Sequence, residues 1–159
     1  MKRLLLFVSF IILSVVGCEK TEIVTVYRDV DILLDSSATV TVGRVLDGDT
    51  FEFGIGIDTI GVRILGIDAF ETKHGTHLDG QALAAGISSD SALALGKIAK
   101  AFADSLLTGK SVLLFRDPKQ PAFDAFGRML RHVQYSEGSL KLDFGALMLT
   151  KKLALIDTL

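Results

Sequence analysis

The chain has 159 residues, of which 49% are hydrophobic and 23% charged, with a formal net charge of −2 and a single cysteine. That length holds one domain whose core needs no covalent staple, and one thiol excludes an internal disulfide. No segment repeats or is of low complexity, and the acidic balance argues against a protein that coats nucleic acid non-specifically through positive charge. The N-terminus opens with the basic pair Lys2 and Arg3 and runs through an apolar stretch over 4–16, too short for a comfortable permanent membrane span. This is the pattern of a secretory signal. It closes Val15-Val16-Gly17-Cys18, which resembles a bacterial lipobox, so 1–17 is expected to be a lipoprotein-type signal peptide and Cys18 to be lipidated. An ordinary secretory signal with an incidental cysteine and an uncleaved anchor helix are the alternatives. The expected product is exported and tied to a membrane through Cys18, facing the periplasm or the cell exterior. Losing Lys2 and Arg3 lowers Lys+Arg from 17 to 15 against 19 Asp+Glu, a formal charge near −4. Residues 18–37 read as a tether, in which 23–34 could also add an edge strand, and 38–159 as the folded domain.

Within that domain, alternation over 40–46 predicts a strand, Asp47-Gly48 a turn, and 50–57 a second strand that completes a hairpin. A further turn at Asp58-Thr59 leads into a third strand over 60–67. The stretch over 73–91, with Gly75, Gly80 and Gly86, reads as a long loop beside the meander. The period then changes. Ala92, Leu95, Ile98, Ala99, Phe102 and Leu106 fall at helical spacing and predict an amphipathic helix over 89–107, with Ser89 or Asp90 as N-cap and Gly109 beyond its end. Strands are expected over 111–116 and 128–135, flanking a loop that holds Pro118 and Pro121, followed by a closing helix from near Ser139 with Leu142, Ala146, Leu149 and Leu153 on one face. This order matches an α+β, β-rich chain built as a five-stranded OB-fold Greek-key barrel with helices packed on it.

Four short segments carry the charges with chemical potential: Asp47-Gly48-Asp49-Thr50, then Arg63 with Asp68 five residues on, then Glu71, and then Phe126-Gly127-Arg128. Two carboxylates can hold a hard cation, a third can activate water, and two guanidinium groups can grip the free oxygens of a phosphodiester. Each piece alone has a plainer reading. Asp-Gly-Asp-Thr is ordinarily a hairpin turn whose Asp and Gly tolerate positive φ, while Arg63, Asp68 and Glu71 read singly as surface charges and Arg128 as the opening of a strand. Arg63, however, stands in an apolar strand between Val62 and Ile64, where alternation turns it to the opposite face.

Taken together, in this order, the segments closely resemble the staphylococcal nuclease-like (thermonuclease) family over about 40–156. The resemblance implies Ca²⁺ held by Asp49, Asp68 and the backbone carbonyl of Ala69, Glu71 as general base, and Arg63 and Arg128 on the equatorial oxygens of the phosphate. It implies hydrolysis of DNA and/or RNA at the 5′-oxygen bond to leave 3′-phosphates, by a monomer. The departures are specific. Family members usually carry Thr-Pro where this chain has Ala69-Phe70, which is expected to free the segment bearing Glu71. Lys-Tyr becomes Ala125-Phe126, and two tyrosines beyond the last helix become Asp157 and Leu159, so weaker ground-state binding of nucleotide is expected. Phe126 is left as a ring that can meet a base. His74 and His77 have a spacing compatible with metal, but His-x-x-His without a third ligand is ordinarily incidental. Two non-nuclease readings stand beside this one: a nucleic-acid-binding OB-fold lipoprotein with weak or no turnover, and an envelope lipoprotein using the domain as an interaction module.

Overall fold

A computed structural model describes residues 37–157; the expected signal peptide, the lipidation at Cys18 and nearly all of the tether lie outside the described residues. The elements run β1 (Ala38–Thr41), β2 (Arg44–Val45), β3 (Thr50–Ile55), β4 (Asp58–Ile64), β5 (Ile67–Ala69), α1 (Thr76–Ala85), α2 (Ser89–Leu107), β6 (Ser111–Phe115), β7 (Met129–Glu137), β8 (Leu140–Asp143), α3 (Phe144–Thr150) and β9 (Ala154–Ile156). The fold is mixed α+β. Seven strands form one sheet in the order β1-β6-β7-β4-β3-β2, with β8 on β7, and β5 and β9 form a separate antiparallel ribbon. No β1–β2 ladder closes this sheet, yet its two outermost strands are neighbours in the chain. The switch occurs within one residue: Val42 N–H donates to the Lys110 carbonyl at 3.0 Å, on the β6 side, and Gly43 N–H to the Glu52 carbonyl at 2.8 Å, on the β3 side.

Several expectations shift at their edges. The third strand does not run through to Ile67, because at Gly66, with φ of 80°, the chain leaves the sheet. Residues Ile67–Ala69 then pair with β9, placing Asp68 opposite Leu155. Ser88, rather than Ser89 or Asp90, caps α2 by accepting from the Ser91 N–H at 3.2 Å. The closing helix begins later than Ser139: Leu140–Asp143 extends the sheet against β7, and Asp143 caps α3 through the Ala146 N–H at 2.7 Å. The expected loop over 73–91 contains the helix α1. Its small buried face, Leu78, Gln81 and Ala82, includes a polar residue, so no apolar stripe announces it.

The main core is the inner face of the sheet, including Phe51, Val62, Ile64, Leu114 and Met129, closed by Ala99, Ala103 and Leu107 of α2 and by Phe144 and Met148 of α3. Phe144 meets Tyr135 edge to face with ring centroids 6.2 Å apart. A second cluster joins Phe70, Leu78, Ala82 and Ala92 under α1. It corrects the expectation that losing proline frees the Glu71 segment, since Phe70 is itself anchored in apolar contacts. Helix α2 presses on the same segment from below. A Cβ at Gly96 would overlap the Glu71 carbonyl oxygen and lie 2.6 Å from both the Glu71 carbonyl carbon and the Phe70 oxygen. Gly80, on α1, has open space around it. Gly96→Ala is therefore expected to destabilise the fold by about 1–3 kcal/mol through overpacking, and Gly80→Ala to stabilise it by up to about 1 kcal/mol through helix propensity, both read from denaturant melts.

Candidate active site

The turn before β3 delivers the first site residue. Leu46 N–H donates to the Thr50 carbonyl at 2.9 Å, and the Asp47 carboxylate accepts from the Asp49 N–H at 3.3 Å. Gly48 is required here by packing. It is not among the glycines with positive φ, contrary to the turn reading; a Cβ on it would lie 2.7 Å from the Ala69 methyl and 2.9 Å from that of Ala99. This close approach sets Asp49, only 1% exposed, against the β5 segment.

Three donors converge on the Asp49 carboxylate. The Ala69 N–H reaches Oδ2 at 2.5 Å, the Thr50 hydroxyl reaches Oδ1 at 3.0 Å, and a guanidinium nitrogen of Arg63 pairs with Oδ1. The other terminal nitrogen of Arg63 donates to Asp68 Oδ1 at 2.9 Å and to the Ile67 carbonyl at 3.3 Å, and lies 3.9 Å from Asp157 Oδ2. One guanidinium thus bridges the two carboxylates expected to hold a cation. Burial pushes the Asp49 carboxyl well above the usual carboxylate range, against the pull of Arg63. Burial opposes the charge on Arg63 as well, but the surrounding carboxylates outweigh it and raise its pKa.

Gln81 of α1, 3% exposed, uses its whole amide to fix the adjoining segment. Its Nε2 donates at 2.8 Å to both Asp68 Oδ2 and the Ala69 carbonyl, while its Oε1 accepts from the Glu71 N–H at 3.0 Å. The Glu71 carboxylate faces His77, with Oε1 and Nδ1 2.9 Å apart. His77 Nε2 is 3.4 Å from Asp68 Oδ2. His74 looks elsewhere, toward the exposed Asp90 at 3.7 Å, so the two histidines do not converge. Among the described residues no three His, Cys, Asp or Glu side chains gather as a metal-binding group.

Arg128 arrives from the other side, just before β7. Asp124 holds it, accepting from its backbone N–H at 2.9 Å and from Nε at 2.6 Å, and the Phe126 N–H donates to the same carboxylate at 2.9 Å. The stem of Arg128 lies over Gly61, where a Cβ would be 3.2 Å from its Cγ. Its guanidinium stands 5.3 Å from the centre of the Phe126 ring, 84% exposed, and reaches the Thr50 hydroxyl at 3.3 Å. Thr50 therefore links Arg128 to Asp49. Arg63, Glu71, His77, Phe126, Arg128 and Asp157 all line one cleft of about 820 Å³, with Asp47 and Asp124 on its wall. Asp49 and Asp68 do not line it, and are reached through Arg63.

All five charged residues singled out in the sequence thus belong to one connected network, and Phe126 stands at its rim. Sequence reasoning missed Gln81, Asp124 and the role of His77. Asp124 had a local signal, an Asp followed at the third and fourth positions by Gly-Arg, a spacing that suits an Asx-type turn. Gln81 had none. A comparison of the chain with protein-family models and with curated proteins finds no match in either.

Burial works against the charge on Asp124, but the hydrogen bonds from Arg128 and Phe126 more than offset it and hold its pKa below the usual value. A carboxyl depressed on folding contributes stability above its unfolded pKa, near 3.9, and loses it as pH falls through the lower folded value. Wild type should accordingly lose more stability than Asp124→Asn as pH falls below about 4, measured by denaturant melts at stepped pH.

Proposed function

We propose that this chain is a Ca²⁺-dependent nuclease that hydrolyses phosphodiester bonds in DNA and/or RNA, exported and held at a membrane through Cys18. The observation that carries the proposal is the meeting of Arg63, Glu71 and Arg128 in one cleft, although they come from β4, the segment after β5 and the turn before β7. The finer fold reading, an OB-type barrel, is supported by the continuity of β1 and β2 at the two ends of the sheet order.

Asp49 and Asp68 already share one cationic group, the Arg63 guanidinium, so the pair can accept positive charge between them. Their donors are all oxygen, which suits a hard cation, and the Ala69 carbonyl is adjacent. Those three would hold Ca²⁺. Bound there, the ion would supply positive charge against the phosphate and its attacking water. Glu71, on the cleft wall, takes the proton from that water. Arg63 and Arg128 bind the equatorial oxygens, which gain charge as the phosphorus becomes pentacoordinate, and the fork of each guanidinium suits two oxygens at once. Asp124 and the Phe126 ring keep the Arg128 fork in place. Arg63 exchanges carboxylate partners for phosphate as substrate arrives.

The charge of the cleft separates this reading from a cation-independent binding module. Asp47, Glu71, Asp124 and Asp157 stand on its wall against Arg63 and Arg128 only. A polyanion entering unaided meets net repulsion, so a bound divalent cation is needed for binding as well as for chemistry.

The test is cleavage of single-stranded DNA and of RNA by the full-length chain in Ca²⁺ and in chelator. Cleavage is expected in Ca²⁺ alone, leaving 3′-phosphate ends, and Glu71→Gln should lower the rate by about two to three orders of magnitude. Nucleic acid retained without cleavage in Ca²⁺ would instead support the binding module, and neither binding nor cleavage would leave the interaction module.

A further inference from the structure

We propose that His77 is a positioning residue for Glu71, fixing the orientation of the carboxylate that takes the proton; this rests on the nuclease reading of the cleft. Glu71 is 38% exposed at its side chain, and an exposed glutamate samples several rotamers. Its backbone is held on two sides. Gln81 accepts from the Glu71 N–H at 3.0 Å, and Gly96 allows α2 to pack on the Glu71 carbonyl. What remains free is the side chain, and His77 Nδ1 holds it at 2.9 Å. A carboxylate only accepts, so Nδ1 carries the proton of this bond.

The placement of His77 is built into α1. His77 and Gln81 stand four residues apart on the helix, so both reach the same neighbouring segment, one at its backbone and one at its carboxylate. The helix register is set by Leu78, 0% exposed, and Ala82, which pack with Phe70 immediately before Glu71. Phe70 and His77 therefore act on one segment: the ring anchors it from within and the imidazole aims the side chain that follows. The second ring nitrogen lies 3.4 Å from Asp68 Oδ2, whose hydrogen bond comes from Gln81. His74, before α1 and equally exposed, meets Asp90 at 3.7 Å rather than Glu71 and serves as an internal control.

The experiment measures kcat and KM for full-length wild type, His77→Ala, His77→Asn, His77→Gln and His74→Ala on single-stranded DNA in Ca²⁺. An asparagine amide can stand near the Nδ1 position and a glutamine amide near Nε2. His77→Ala should lower kcat by about 10–100-fold, as loss of an outer-shell partner does, with KM within about twofold. His77→Asn should recover most of the loss, His77→Gln little, and His74→Ala should match wild type. Adding His77→Ala to Glu71→Gln should cost nothing further, because the histidine acts only through that carboxylate. An unchanged kcat in His77→Ala, a loss confined to KM, equal recovery by Gln and Asn, or an additive double mutant would overturn the proposal. An activity-independent arm separates it from the nuclease reading: the ¹⁵N resonance of His77 Nδ1 should move on Glu71→Gln. If wild type cleaves nothing, the nuclease reading falls and the catalytic role falls with it. The resonance then decides the contact alone, and an unmoved Nδ1 signal refutes it.

Discussion

A carboxylate removed from water must be given back nearly all the hydrogen bonds and positive charge that water supplied, and Asp49 receives them from its neighbour Thr50 and from two residues elsewhere in the chain. Thr50 supplies a hydroxyl, Ala69 a backbone N–H, and Arg63 a guanidinium. Each partner is thereby fixed in turn. Arg63 is drawn to the end of β4 nearest β5, where it also collects Asp68. Ala69 can approach because Gly48 carries no side chain between the turn and β5. Removal of Arg63 would leave Asp49 with only the Thr50 hydroxyl and the Ala69 N–H, whereas removal of Asp49 would leave Arg63 still paired with Asp68.

From that pair the network spreads in two directions that differ in their physical character. Toward Arg128 it is a chain of directional bonds through the Thr50 hydroxyl, ending in a guanidinium clamped by Asp124 and resting beside the exposed Phe126 ring. Toward Glu71 it depends on helix α1, whose Gln81 satisfies three polar groups at once and whose Leu78 locks the helix down. The first arm joins residues far apart in the chain, since Thr50 and Arg128 are 78 positions apart. The second depends on packing between α1, α2 and the segment after β5, with Gly96 as the point where the backbones come closest.

The network also gives meaning to the departures from the resembled family. Phe70 in place of proline exchanges a fixed φ for a buried ring, and the segment is held by apolar contact rather than by covalent geometry. Asp157 brings a further carboxylate to the cleft, 3.9 Å from Arg63. It adds negative charge to a cleft whose wall already carries Asp47, Glu71 and Asp124.

The sequence by itself determined the elements whose signals are short-range. The strands of the meander were legible from alternation, although the second turn falls at Gly56-Ile57 rather than Asp58-Thr59 and the expected strand over 40–46 divides into β1 and β2. Helix α2 was legible from its 3.6-residue period and the candidate site from five charged residues in a fixed order, because side-chain period acts within a few residues. Only the tertiary structure decided which charges touch. Nothing in the neighbourhood of Arg63 says that it bridges Asp49 and Asp68, since that depends on where Gly66 sends the chain. The strand β8 hid inside an expected helix because its pairing with β7 overrides local preference. Helix α1 hid because a polar residue, Gln81, occupies its buried face. Gln81 and His77 acquire their roles from partners that folding brings to them, and a hydrogen bond across packed elements leaves no periodic trace in the chain that makes it.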